Sequence, residues 1–183
     1  MKKTGLYALI IPLLFIACQN EASLQNYLVE SQDKEDFLNL DIPASVLELN
    51  TNEATQEQLE AYKTIRKINI VALPYSNSNE QEYQHEKQRL QAIFKNPKYK
   101  SVLKFNTSGR KMFVYYLGDP EAIDEIVAFG YGKELGVGVA RLLGDNMNPS
   151  KILAMVKNVK VDSTNVQLIK FKNWIKKNKN DIE

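Results

Sequence analysis

The chain has 183 residues, with 24 Lys and Arg against 22 Asp and Glu, one His, one Cys, 44% apolar and 25% charged residues. That composition fits roughly one globular domain and excludes a disordered, collagenous or multi-span membrane protein. A lone cysteine cannot close an intramolecular disulfide or build a multi-cysteine zinc or iron–sulfur site, so whatever Cys18 does it does alone.

The first segment explains that cysteine. Lys2 and Lys3 form a basic start, and the apolar run from Gly5 to Ala17 ends in a small residue directly before Cys18. This is the layout of a secretory signal peptide. A membrane-crossing helix needs ~20 apolar residues, which this run lacks, and Pro12 interrupts it. Phe15-Ile16-Ala17-Cys18 resembles the lipobox of bacterial lipoproteins, with Phe15 where that family prefers Leu. The resemblance implies cleavage between Ala17 and Cys18 and a diacylglyceryl group on the Cys18 thiol. The alternative is an ordinary signal peptide with an incidental cysteine. Residues 1–17 are thus expected to be the signal, 18–25 a lipidated tether and 26–183 the domain. Each buried methylene of an acyl chain adds ~0.8 kcal/mol of membrane affinity, so several chains on one residue hold firmly. The expected location is the bacterial cell envelope, at the outer membrane or the periplasmic face rather than in the cytoplasm.

Removing the signal removes Lys2 and Lys3 and leaves a formally neutral but polarised chain. Residues 18–62 carry ten acids against Lys34 alone, whereas residues 151–183 carry eight Lys against three acids. A nucleic-acid binder would concentrate excess positive charge on its working face, so nucleic acid is not expected as a partner; nor is a nucleotide, for want of a complete phosphate-binding motif.

In chain order, Leu24 to Leu28 can begin a helix and Phe37 to Ile42 alternates as a short strand. Pro43 is placed to open a helical turn over Ala44 to Leu49. Thr55 with Gln58 resembles a capping box, opening a helix that runs to Tyr62 or Ile65. Arg66 to Leu73 alternates as a strand stopped by Pro74. Asn79 then caps a helix with Glu80 and Glu82 in its positive first turn, closed by Asn96 and Pro97. Tyr83, Leu90 and Phe94 share one stripe of it, with Ile93 at the edge, which leaves His85 on the solvated side.

After Pro97 the pattern turns to strands: Tyr99 to Phe105, Lys111 to Leu117, Ile123 to Tyr131 and Leu135 to Leu143, joined by turns at Asn106 to Gly109, Gly118 to Pro120 and Gly132 to Glu134. On the last strand Val137, Val139 and Arg141 share one face while Gly136, Gly138 and Ala140 share the other. A face of such small residues predicts close packing by a helix or an aromatic ring. Gly136 to Arg141 begins like a dinucleotide fingerprint, but Arg141 stands where the third small residue belongs and no βαβ order surrounds it. Asn106-Thr107-Ser108 matches a glycosylation acceptor yet reads better as turn chemistry.

Asn148 caps a further helix with Pro149 at its first position. From Ser163 a final helix is expected, in which Leu168, Phe171, Trp174 and Ile175 span about 120° of the wheel and Lys170, Lys172, Lys176, Lys177 and Lys179 take most of the rest. Such a helix can dock in a partner's groove or lie on an anionic surface, which makes Phe171, Trp174, Lys172, Lys176 and Lys177 a candidate interaction surface. Otherwise the stripe caps the sheet and the lysines stay solvated, the reading that Val166 and Ile169 favour by falling outside the stripe. An edge strand over Val166 to Phe171 is a further alternative. Together the elements predict a single α+β domain, a mainly antiparallel sheet of about five strands with helices packed on one face.

The signal with Cys18, the stretch Ser31 to Leu49, the strand-helix-strand centre and especially Arg141 to Ile152 (RLLGDNMNPSKI) resemble the domain-of-unknown-function 4252 family of small bacterial envelope lipoproteins. The resemblance implies an envelope-anchored α+β domain and carries over no catalytic residue. The sequence contains no GxSxG, Walker A, HExxH or EF-hand loop. The neighbouring acids Asp33 with Asp36, Glu80 with Glu82 and Asp124 with Glu125 read as solvated helix starts and turns. No catalytic set, metal site or cofactor is therefore expected. The leading expectation is a lipid-anchored binding or interaction module, held to the membrane through Cys18 and meeting an envelope protein or glycan. The alternatives are an envelope hydrolase using dispersed carboxylates and a regulatory or stress-response lipoprotein that signals through a partner. A polar pocket with two raised carboxyl groups would favour the hydrolase; an apolar patch or open sheet edge would favour the module.

Overall fold

The computed structural model describes residues 22–49, 54–107, 109–134, 136–156 and 159–161, together with Ile169 and Asn173. Its elements are helix α1 (Leu24–Gln32), strand β1 (Leu38–Pro43), a 3-10 turn (Ala44–Val46), β2 (Leu47–Leu49), α2 (Gln56–Lys63), β3 (Ile65–Leu73), a second 3-10 turn (Tyr75–Asn77), α3 (Glu80–Ile93), β4 (Lys100–Thr107), β5 (Arg110–Asp119), β6 (Ala122–Gly132), β7 (Gly136–Met147), α4 (Pro149–Val156) and β8 (Val159–Val161). Six strands form one antiparallel sheet in the order β1-β3-β7-β6-β5-β4, and β2 pairs with β8 in a separate ribbon. The α+β domain and its antiparallel sheet match the sequence reading, with one strand more in the main sheet.

The helix starts follow their caps. Thr55 and Gln58 exchange the two bonds of a capping box, the Ser23 and Asn79 side chains accept from Asn26 and Glu82 N–H, and Asn148 Oδ1 accepts from Lys151 N–H at 3.1 Å. Ala44 to Leu49 departs from the expected helix. Only Ala44–Val46 turns, because Leu47–Leu49 is drawn into the β2/β8 ribbon, a pairing whose second strand carries no sequence mark of its own.

The strands' two-residue period gives the sheet two different faces. On one, Val71, Leu73, Val137, Val139, Val127 and Phe129 join Tyr27 and Leu28 of α1 and Tyr83, Leu90 and Ile93 of α3 in a single core. On the other, Ile68, Leu142, Ile126 and Tyr116 pack with Ala61 of α2, Ile152 and Met155 of α4 and Leu47. Helices therefore cover both faces rather than one: α1 and α3 close the first, while among the described residues α2 and α4 close one end of the second. Gln58 Nε2 donates to Ala154 O at 2.9 Å and the Tyr62 hydroxyl donates to Ala44 O at 3.1 Å, fixing that end.

Candidate functional site: an open trough on the sheet

The part of the second face that no helix covers among the described residues has a regular construction. One row across the sheet, read from the strand register, is Leu40, Ile70, Ala140, Ala128, Val114 and Leu103; the next is Leu38, Ala72, Gly138, Gly130, Met112 and Phe105. Both rows are large at the flanks and small in the middle. The result is a trough along β6 and β7, whose outer end is a cavity of about 470 Å³ lined by Ala72, Gly130, Gly138, Met112 and Phe105. Its rim exposes two apolar side chains that face each other across β4 and β5, Phe105 at 48% and Met112 at 42% of full exposure. Arg110 lies at the mouth but is held by Glu134, with Nε 2.7 Å from Oε2.

The glycines here have distinct jobs. A Cβ on Gly138 would sit 2.7 Å from Ala72 Cβ and 2.8 Å from Val71 O, so β3 and β7 need glycine at that crossing. Among the described residues a Cβ on Gly130 would meet only Lys111 O at 3.6 Å, an ordinary contact. Gly136, at φ +95°, adopts a backbone conformation that side chains resist.

The first face carries polar features of another type. A groove of about 390 Å³ beside α1 is lined by Gln25, Asn39, Asp41, Lys67, Asn69 and Arg141. Arg141 is already engaged, pairing with Glu125 at 3.0 Å and donating to Gln25 Oε1 at 2.7 Å, and Lys67 pairs with Asp41 at 3.2 Å. Between α1 and α3 the Glu86 carboxylate, 2% exposed, pairs with Lys34 at 3.0 Å and Arg89 at 3.4 Å, and Arg89 reaches Glu30 at 2.5 Å. Burial pushes the neighbouring Tyr27 phenol far above its ordinary range, and the negative Glu86 adds to the shift. Such a knot pins two helices together; it does not assemble a nucleophile with a base. The Tyr75 hydroxyl donates to Glu80 at 2.6 Å, Gln84 donates to it at 2.8 Å and Lys133 pairs with it at 3.0 Å. The Tyr75 hydrogen bond leads in holding the Glu80 carboxyl down to about 2.

The residues singled out in the sequence disperse. Ala17 and Cys18, and Phe171, Lys172, Trp174, Lys176 and Lys177, lie outside the described residues. His85 is exposed, with Nδ1 3.6 Å from Glu86. Asp33 caps the end of α1, and Glu80 and Glu82 occupy the first turn of α3, as their positions suggested. Asp124 and Glu125 instead lie within β6 at its register shift, Asp124 exposed and Glu125 paired with Arg141. Gly136 to Arg141 runs inside β7 with no helix after its glycines, so it is not a phosphate-binding turn. Among the described residues no three His, Cys, Asp or Glu side chains gather to hold a metal ion. The sequence reading missed buried Glu86, for which helical phase was the available signal: Glu86 lies three residues after Tyr83 and four before Leu90.

A family model described as a domain of unknown function, DUF4252, matches residues 27–155. The chain belongs to this family. No curated protein and no solved structure matches. The DUF4252 match begins inside α1 and ends inside α4, so it takes in the whole six-stranded sheet and both walls of the trough. The segment after Val156, with its apolar and lysine-rich stripes, lies beyond it.

Proposed function

We propose that this DUF4252 protein is a lipid-anchored interaction module of the bacterial envelope, tethered through Cys18 and receiving an apolar partner segment at the open trough. The observation that carries the binding half is the trough itself: small residues along its floor and an exposed Phe105–Met112 pair on its rim. The anchoring half rests on the signal-like run that ends at Ala17-Cys18. The first described helix starts at Leu24, which leaves a short polar tether between the acylated residue and the fold. An envelope hydrolase would need a carboxyl group raised so as to act as an acid; Glu80 is displaced the other way by Tyr75. A signalling role would use the same receiving surface.

The test is fractionation with mass spectrometry. The native protein is expected in the membrane fraction with an acylated N-terminal Cys18, and Cys18→Ala in the soluble fraction. A Cys18→Ala protein that stays membrane-bound, with no acyl group on the native chain, overturns the anchoring. For the binding half, photo-crosslinking from position 105 in intact cells is expected to capture a discrete envelope protein. Uniform labelling of bulk protein would refute the binding half.

A further inference from the structure

Three observations bear on what fills the trough when no partner is present. Leu40, Ile42 and Val114 line this face and are buried, yet belong to neither of the two core clusters. Strand β8 ends at Val161 against Leu47 of β2, and Leu47 joins the core that α2 and α4 form on this same face; the chain from Asp162 to Glu183 thus continues from that side of the sheet. Finally, Ile169 and Asn173 are each helical and exposed, Ile169 at 41%, and their four-residue spacing puts them on one side of a helical wheel. At about 100° per residue, Leu168, Phe171, Trp174 and Ile175 centre on the opposite side of that wheel.

We propose that the segment 163–179 docks its own apolar stripe in the trough as an amphipathic helix. The dimensions agree: with strands about 4.8 Å apart, the flanking β3 and β5 stand about 14 Å apart across the small-residue floor, and a helix with its side chains is about 10–12 Å across. The glycines and alanines of β6 and β7 supply the depth that Phe171 and Trp174 require. Lys170, Lys172, Lys176 and Lys177 then fall on the outward side around Ile169 and Asn173, and Lys179 borders the stripe next to Leu168, where their long side chains keep the charges hydrated. Phe171 and Trp174 therefore serve the fold, and the lysines alone remain as surface. The inference rests on the reading above only in treating the trough as a receiving surface: an incoming partner must displace or extend this helix. It is independent of the anchor.

Trp174 is the chain's single tryptophan, which makes the test direct. In the purified full mature chain carrying Cys18→Ala, Trp174 emission is expected to be blue-shifted and poorly quenched by acrylamide, at every protein concentration. Phe171→Asp is expected to red-shift the emission and raise quenching severalfold, and Ile169→Asp, on the outward side, to leave both unchanged. Gly130→Leu, which fills the trough where a Cβ meets only Lys111 O at 3.6 Å, is expected to act like Phe171→Asp with the far-ultraviolet dichroism of the sheet retained. If Gly130→Leu loses that dichroism, the pair Phe171→Asp and Ile169→Asp decides alone. Solvent-like emission in the parent chain overturns the proposal, as does an Ile169→Asp shift equal to that of Phe171→Asp. Emission that becomes buried only as concentration rises also overturns it, by assigning the occupant to a second copy. None of these outcomes depends on acylation or on a captured partner.

Discussion

The two faces of the sheet use the same strands and opposite materials. At the centre of the closed face Val139, Phe129 and Phe113 stand side by side across β7, β6 and β5, and Phe129 stacks on Phe94 of the α3 C-cap with ring centroids 5.3 Å apart. One residue along each strand, the open face presents Gly138, Gly130 and Met112. The large rings fill the layer between sheet and helices with permanent contacts. Small residues leave a depression whose filling is postponed to another element. The alternation of β7, Val137-Gly138-Val139-Ala140, therefore encodes a finished core on one side and a depression on the other.

This contrast can be broken most severely at Phe129, which is 2% exposed. Phe129→Ala is expected to cost about 3–5 kcal/mol in urea unfolding, because the cavity opens inside a ring stack that the helices cannot collapse around. Met112→Ala on the open rim should cost well under about 1 kcal/mol by the same measurement. Next in size is the charged knot that locks α1 to α3. Glu86→Ala leaves Lys34 and Arg89 without their shared buried acceptor and is expected to cost about 2–3 kcal/mol, less than a fully enclosed pair because both cations reach solvent. A cost near zero would mean that the closed face holds its helices by apolar contact alone.

These residues also show how far the sequence could be read. The strands, their hairpins and the caps of α2, α3 and α4 were legible because each depends on local chemistry: period-two alternation, a Thr55–Gln58 box, an Asn before Pro149. The small-residue face of β7 was legible too, since it needs only parity. Strand β8 and the truncation of the Ala44 turn were not, because both follow from a pairing between residues more than a hundred positions apart. The division of helices between the two faces is likewise set by connection geometry, and amphipathic stripes do not say which side of a sheet they will meet. Helical phase places Glu86 on the buried stripe, but the Lys34 that neutralises it there pairs across 52 positions, which no local pattern shows.

A finer cut lies within the trough. Gly138→Ala forces a methyl against Val71 O and Ala72 Cβ and is expected to cost about 1–3 kcal/mol, with β3 and β7 pushed apart. Gly130→Ala, one strand over, should change stability by no more than about 0.5 kcal/mol, since its methyl has room and its backbone already lies in an ordinary region. Equal costs would show that the element seated on the trough presses on β6 as closely as β3 presses on β7.

The smallest effect sought is electrostatic and sits at the edge of the closed face, where Tyr75, Gln84 and Lys133 converge on Glu80. Because Glu80 is held down to about 2 in the fold, against an ordinary carboxyl near 4.5, the folded state binds its proton less readily than the unfolded chain. Its stabilising contribution is therefore fully present above the unfolded value and is lost as pH falls from about 4.5 towards 2. Glu80→Gln keeps hydrogen-bonding atoms but removes the titration, so the difference in urea midpoint between native and variant protein is expected to shrink across that window and to be constant above it. Solvent screens this exposed cluster, which keeps the difference small and makes it diminish further in high salt. A difference that grows on acidification would mean that the carboxylate is repelled rather than held, and that Tyr75 and Lys133 do not bind the start of α3 to the β6–β7 turn.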